Sequence, residues 1–473
     1  MVSGTKLDVS AGVPTRYNMT YVWLVSMAAA LGGLLFGYDW VVIGGAKPFY
    51  EKYFQLLNPS TQGWAMSCAL VGCLVGAILA GGLSDKYGRK RLLLLSGFLF
   101  ALTSIGTGMA SAFTEFVIWR ILGGIAIGLA SNLSPMYIAE VAPASIRGKL
   151  VSINQLTIVI GILAAQFTNW LIARPVPPEA TPLDILNSWN GQSGWRWMFG
   201  VTAVPAVFFF LCMFLVPESP RWLAKSGKHE KAKDVLAHIG GEIYARQTLT
   251  QIEETLVNEI DRVNFRDLSE PKMVRILLLG VTIAVLQQWC GINVIFNYAE
   301  EVFTAAGYKV SDILFNIVIT GIVNLAFTFV AIHTVDRLGR RVLMLAGWIG
   351  LSMLYVLIGA SYFTHTQGVY LLILVVGAIG CYGCTLAPVT WVVLAEIFPN
   401  RIRGAAMSIS VFALWIGCFA LTFTFPILNR VLGPASTFWT YAAICVFGFF
   451  FVKLRLPETK GKTLEQIEKD LLD

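Results

Sequence analysis

The 473-residue chain is 56% hydrophobic and only 13% charged, with a mean hydropathy of +0.68, whereas soluble domains are about 25% charged. Such a composition excludes an ordinary soluble enzyme or binding module. The net charge of +7 is explained by where the basic residues fall and does not argue for nucleic-acid binding.

Uncharged runs cover 17–38, 53–84, 92–114, 121–139, 150–173, 197–217, 276–299, 313–335, 342–395, 404–429 and 431–452. A hydrocarbon core about 30 Å thick takes about 20 apolar residues in helix. Ten runs therefore supply one crossing each, and 342–395 supplies two, split near Thr364–Gly368. Twelve helices are expected, because dry lipid leaves backbone polar groups no partner outside their own segment. The fold class is thus an all-α polytopic membrane protein.

Short loops rich in Lys and Arg stay cytoplasmic. With the N-terminus inside, alternate connections carry Lys86, Arg89, Lys90, Arg91; Arg147, Lys149; Arg337, Arg340, Arg341; and Arg401, Arg403. The opposite loops hold Lys47, Lys52, Arg174, Arg196, Lys309 and Arg430. Both termini are expected in the cytoplasm, in a multi-pass protein of the plasma membrane, or the inner membrane of a bacterium. A polar stretch precedes the first helix, with no small-residue cleavage site after a short apolar core, so that helix is read as retained.

Residues 218–272 are dense in charge and too polar for lipid, with amphipathic segments such as Glu230–Ile239 and Thr250–Val263. They read as a cytoplasmic linker between a six-helix half at 1–217 and a second at 273–473. The halves repeat. Asp85-x-x-Gly88-Arg89 follows helix 2, and Asp336-x-x-Gly339-Arg340 follows helix 8; Glu140…Arg147 follows helix 4, and Glu396…Arg403 follows helix 10. Pro217-Glu218 follows helix 6, and Pro457-Glu458 follows helix 12. Partners are 251, 256 and 240 residues apart (from 89/340, 140/396 and 218/458). Internal repeats of this kind let carriers alternate access around a site near the midplane.

All eight cysteines lie in apolar segments. Cys381-x-x-Cys384 has no second pair or nearby histidine, so these are small packing residues rather than a redox or metal motif. No nucleophile–base pair, metal-ligand cluster or phosphate-cradling loop is present, and no cofactor is expected.

Two ionisable residues stand away from the cytoplasmic ends. Asp39 interrupts the uncharged stretch 21–46, and Arg120 lies about one turn into helix 4. At about 1.5 Å per residue, Asp39 is about 28 Å along helix 1 from Thr20, and Arg120 about 7–8 Å from the outer start of helix 4. Both fall at similar depth in the outer half. Intramembrane charges persist when paired or when lining a wet cavity. Burial disfavours the ionised carboxylate and a nearby guanidinium favours it, so a movable Arg120 makes Asp39 a proton switch. The alternative is a fixed ion pair.

Polar residues inside apolar helices form a second set. Helix 7 carries Gln287, Gln288, Gly291, Asn293 and Asn297. Asn293 and Asn297 share a face at i,i+4, but Gln287 and Gln288 do not lie on that face of an unbroken helix. Gly291 offers a place to bend or unwind. Gln155, Asn324, Trp391 and Trp415 add to the set from helices 5, 8, 10 and 11. Amides donate and accept at once, which suits sugar hydroxyls, and indole faces stack on the apolar face of a sugar ring.

The Asp-x-x-Gly-Arg loops, Pro217-Glu-Ser-Pro-Arg221 and Pro457-Glu-Thr-Lys-Gly-Lys-Thr463 resemble the major facilitator superfamily, sugar porter family, over essentially the whole length. Leu133-Ser-Pro-Met-Tyr-Ile-Ala-Glu140 and Phe36-Gly-Tyr-Asp39 are most like bacterial xylose–proton symporters. The resemblance implies two pseudo-symmetric six-helix halves and a contact between Asp39 and Arg120, with Asp39 the proton carrier. It also implies sugar contacts from Phe36, Gln155, Gln287, Gln288, Asn293, Asn324, Trp391 and Trp415. Ile162 and Phe296 look more like glucose carriers; Asn297 stands where tyrosine is usual; Leu414 and Cys418 replace polar residues. A pentose or a hexose fits this pattern.

A cytoplasmic gate is expected from Asp85, Arg89, Glu140, Arg147, Glu218, Asp336, Arg340, Glu396, Arg403 and Glu458, latching the two faces when the carrier opens outward. The expected function is a proton-coupled monosaccharide symporter with a monosaccharide, a proton and the bilayer as partners, working as a monomer. The alternatives are a uniporter of the same fold and, more remotely, a non-transporting sugar sensor.

Overall fold

The computed structural model describes residues 17–177, 179–258, 270–305, 307–366, 368–399, 403–460 and 466. Among these, eleven helical stretches are long and apolar enough to cross a membrane. Ala405–Arg455 has 51 residues, about 76 Å of helix, more than twice the hydrocarbon thickness. It turns at Gly433, whose φ of 77° is left-handed. It therefore makes two crossings, and the total is twelve.

The crossings are α1 Met19–Tyr53, α2 Pro59–Tyr87, α3 Arg89–Met109, α4 Phe113–Val141, α5 Arg147–Ile172 and α6 Asn190–Leu215. The second half has α7 Pro271–Asn297, α8 Val310–Leu338, α9 Arg340–Phe363 and α10 Val369–Ile397, with α11 at 403–432 and α12 at 434–455. Local chemistry sets several starts. Asn18 caps α1 by accepting from the Tyr21 N–H, and Asn58 caps α2 ahead of Pro59 at the first helical position, where its missing N–H costs nothing.

Within the first half, α1 lies against α5 so closely that a Cβ at Gly37 would strike the Ile158 carbonyl. Small residues permit such approaches where lipid gives helices no hydrophobic reason to associate. In the second half, Trp289 of α7 donates to the Gly417 carbonyl of α11, and Ser352 of α9 to the Ala442 carbonyl of α12. The halves meet along α2–α11, through Trp64 and Phe419, and along α5–α8, through Trp170 and Phe315.

The linker is helical at Pro220–Lys225 and His229–Asn258. The two amphipathic segments expected there belong to one stretch bent at Gly241 (φ 81°); residues 259–263 of the second lie outside the described residues. The Asn18 N–H donates to the Ile239 carbonyl, so the residue that caps α1 is tied to the linker.

One expectation is corrected. Lys47 and Lys52 are not loop residues: α1 continues through Pro48 to Tyr53, and the turn to α2 starts only at Phe54. Lys47 is 2% exposed. A charge scan reads it as the end of the helix because it cannot see the carboxylates that surround it.

Candidate functional site

Mid-depth in the first half, Arg120 Nη1 of α4 donates to both carboxylate oxygens of Asp39 on α1, at 2.9 and 3.0 Å. The two residues are 4% and 5% exposed, so neither charge is shared with bulk water. The guanidinium also lies over the Phe199 ring, 5.3 Å from its centroid, a cation–π contact that strengthens when desolvated. A small cavity beside the pair is lined by Arg120, Trp40, Met66, Cys73 and, from the other half, Asn297. The guanidinium of the pair and the Asn297 amide thus adjoin one space.

In α7 the helix breaks where Gly291 takes a left-handed φ of 85°, separating Pro271–Trp289 from Ile292–Asn297. Glycine enters this region without Cβ strain, and irregular backbone at membrane depth is tolerated beside a cavity. The break brings together amides that an unbroken helix keeps apart. Asn293 Nδ2 donates to Gln288 Oε1, Gln288 Nε2 donates to Gln287 Oε1 at 2.7 Å, and Gln287 Nε2 donates to the Tyr382 hydroxyl of α10. Asn293 also lies 3.6 Å from Cys418 Sγ. Asn297 is 4% exposed. The α10 helix is interrupted as well, at Thr385, whose φ/ψ of −124°/−88° lies outside the helical region.

Aromatic rings also bridge the halves. Phe36 and Trp40 of α1 lie 6.1 and 5.9 Å from Trp415 of α11, and 6.1 Å from each other. Gln155 on α5 is exposed and Ile162 is half-buried, while Phe296 and Asn324 are buried. Trp391, at 40% exposed, is not enclosed with the others.

Two contributors were missed from sequence. Tyr382 lies inside the dismissed Cys381–Cys384 stretch; its signal was a hydroxyl in the middle of a mostly apolar helix. Trp40 is one turn on from Phe36, and that i,i+4 spacing was the available sign.

The basic face holds two matching networks. In the first half, Arg89 binds Glu140 (2.9 Å) and Asp85 (3.2 Å), and Glu218 accepts the backbone N–H groups of Arg89, Lys90 and Ser219 at 2.9–3.0 Å. In the second, Arg340 binds Glu396 (3.2 Å), and Glu458 accepts the N–H groups of Arg340, Arg341, Thr459 and Lys460. Ser219 donates to Glu140 as Thr459 does to Glu396. Glu218 and Glu458 each sit at a helix N-terminus, where N–H groups and the dipole favour an anion. Burial works against the ionised Glu458, but the N–H groups of Lys460, Arg340, Arg341 and Thr459 together hold its carboxyl below the usual range.

The Arg89 and Arg340 ion pairs at this face run within each half, and Lys225 of the linker meets Asp85 at 2.7 Å. Arg147 is exposed at the start of α5, and the side chains of Asp336 and Arg403 lie outside the described residues. On the opposite face is a cluster that sequence reading missed entirely. Lys47 of α1 meets Glu51 at 3.0 Å, Glu300 at 3.5 Å and Glu301 in direct contact. Asp39–Arg120 is therefore not the lone buried charge group.

The profile of the family described as "Sugar (and other) transporter" matches residues 25–471. The arabinose–proton symporter of Bacillus subtilis is 37% identical over 467 residues, 98% of each chain. The D-xylose–proton symporter of Escherichia coli is 37% identical over 485 aligned positions, 96% of each. A glucose transport protein of Synechocystis is 39% identical, covering 95% of this chain and 97% of that one. The inward-open structure of the xylose transporter XylE from E. coli superposes with a TM-score of 0.83 at 36% identity, over 95% of this chain and 99% of that one. XylE bound to 6-bromo-6-deoxy-D-glucose gives 0.78 at 37% identity, over 96% and 100%.

Proposed function

Because the chain belongs to the sugar transporter family, we propose that it is a proton-coupled monosaccharide symporter working by alternating access, with its basic face and both termini in the cytoplasm. The observation that carries this reading is the buried Asp39–Arg120 pair, beside a cavity that Asn297 of α7 also lines. A carboxylate isolated from water needs a partner. When Asp39 takes a proton its charge is lost, the tie to Arg120 weakens, and α1 and α4 are free to shift against α7. The amide chain from Gln287 to Asn293 holds the sugar hydroxyls, and the Phe36–Trp40–Trp415 rings receive its apolar face. Coupling follows because Arg120, the partner of Asp39, lines the same space as Asn297.

The relatives named for arabinose, xylose and glucose support a pentose or hexose. The carrier acts as a monomer of two halves, 1–217 and 273–473, joined by the linker at 218–272.

The test is uptake into proteoliposomes with and without a proton gradient. Asp39→Asn is expected to abolish accumulation against a gradient while sugar exchange continues. Unchanged accumulation in this variant would take the coupling role away from Asp39, whereas uptake by the unmodified protein that only equilibrates, with or without the gradient, would leave a uniporter with a structural Asp39–Arg120 pair.

A further inference from the structure

Lys47 lies at the far end of α1, almost fully enclosed, and meets carboxylates from both halves. Its ammonium has three donors and three carboxylates around it: Glu51 of its own helix, and Glu300 and Glu301 on Ala299–Thr304, the short helix that follows α7. It also lies 5.8 Å from the centroid of the Tyr298 ring. The side chain is 2% exposed, against 12%, 17% and 24% for the three acids. The ammonium is therefore closed off from the far face, and Glu51 Oε1 and Glu301 Oε2 are buried with it.

The charges decide what this arrangement does. Three carboxylates meeting across the interface between halves repel one another; the single lysine turns repulsion into attraction. Glu51 plays a different part from the other two. It lies at i,i+4 from Lys47, a spacing that pairs without any help from α7, and Gln62 of α2 donates to the same oxygen at 3.4 Å, anchoring it to the first half. When the far ends separate, Lys47 loses Glu300 and Glu301 but keeps Glu51, so its charge is not left unpaired. An unpaired buried charge is what makes breaking such clusters costly. The other ionic groups nearby do not take this place: the Lys52 ammonium donates to the Pro48 carbonyl, and Lys309 and Asp312 at the start of α8 are exposed. Tyr50 is buried and donates to Met66 Sδ.

We propose that Lys47 is a reversible outer latch between the halves, closed on Glu300 and Glu301 and released onto Glu51, so that it sets how readily the carrier opens outward. This rests on the alternating-access reading but not on proton coupling.

Hydrogen–deuterium exchange of the whole protein in nanodiscs, read on the peptide covering 299–304, separates the latch from a merely structural cluster. Lys47→Gln leaves the three acids facing one another, and exchange is expected to rise about tenfold or more. Glu51→Gln removes Lys47's competing partner and one repulsive charge, and exchange is expected to fall. A structural role predicts that both substitutions raise exchange, because each deletes a buried ion-pair partner; that result, or no change in either variant, overturns the latch. Sugar exchange across the membrane without a proton gradient should slow in Glu51→Gln, and the reversed pair Lys47→Glu with Glu301→Lys should restore protection lost in Lys47→Glu alone. If Asp39→Asn leaves accumulation intact, coupling through Asp39 fails while these readouts still judge the latch.

Discussion

The two halves of the molecule agree at the basic face and part company at mid-depth. At that face the Arg89–Glu140 and Ser219–Glu140 contacts are matched by Arg340–Glu396 and Thr459–Glu396, and Glu218 and Glu458 each gather backbone N–H groups. At mid-depth the first half presents an ion pair on two continuous helices, while the second presents amides on helices interrupted at Gly291 and Thr385. A repeated framework thus carries unlike chemistry. Charge needs rigid positioning to stay paired, whereas a ring of hydroxyls is met better by backbone that has already departed from helix.

The comparison can be broken most severely at the basic face of the first half. Arg89→Ala leaves Glu140 enclosed without its guanidinium, and a loss of about 3 kcal/mol is expected; Arg340→Ala should cost less, since Arg340 is 15% exposed and Arg89 7%. Thermal melting of the two variants in the same detergent measures the difference, and equal losses would show that the networks carry equal weight.

At mid-depth, Gly291→Ala should weaken sugar binding about tenfold or more. A left-handed backbone costs an L-residue about 1–2 kcal/mol, and the new Cβ would lie 2.8 Å from the Tyr441 ring. Titration of purified protein with competing pentoses and hexoses reads both the loss and the sugar preference.

A finer contrast lies in the paired glycines, Gly88 and Gly339, both at φ 93°. An added Cβ would collide with the Glu218 carboxylate in one and meet the Glu458 carboxylate at 2.8 Å in the other. Both alanine variants should lose about 1–2 kcal/mol from backbone strain alone, with Gly88→Ala the more damaging in melting experiments.

The smallest effect concerns Glu458. Its carboxyl is held below the usual glutamate range, so the stability it lends is full at neutral pH and is lost as pH falls through that lowered value. Glu458→Gln should lower the melting temperature slightly at pH 7 and make no difference well below pH 4, about where ordinary glutamates protonate.

Much of this was legible in the residue order. Hydrophobic run length and the three repeated motifs specified twelve helices in two halves, because lipid accepts little except helix and repeated sequence closes repeated contacts. Asp39 and Arg120 were visible as charges that a membrane tolerates only when partnered. Gly291 was visible as a weak point, although only the folded backbone shows that its left-handed turn joins Gln288 to Asn293.

What the tertiary structure alone decided is which charges meet. Glu140 and Glu396 pair inside their own halves, a choice of partner that depends on helix packing and leaves no trace in local composition. Lys47 looked like a loop residue because its three acids include two that lie more than 250 positions away, at 300 and 301. Tyr382 and Trp40 were hidden for the same reason: a side chain's role in a membrane bundle depends on which face of its helix turns toward the cavity, and that is set by neighbours distant in sequence.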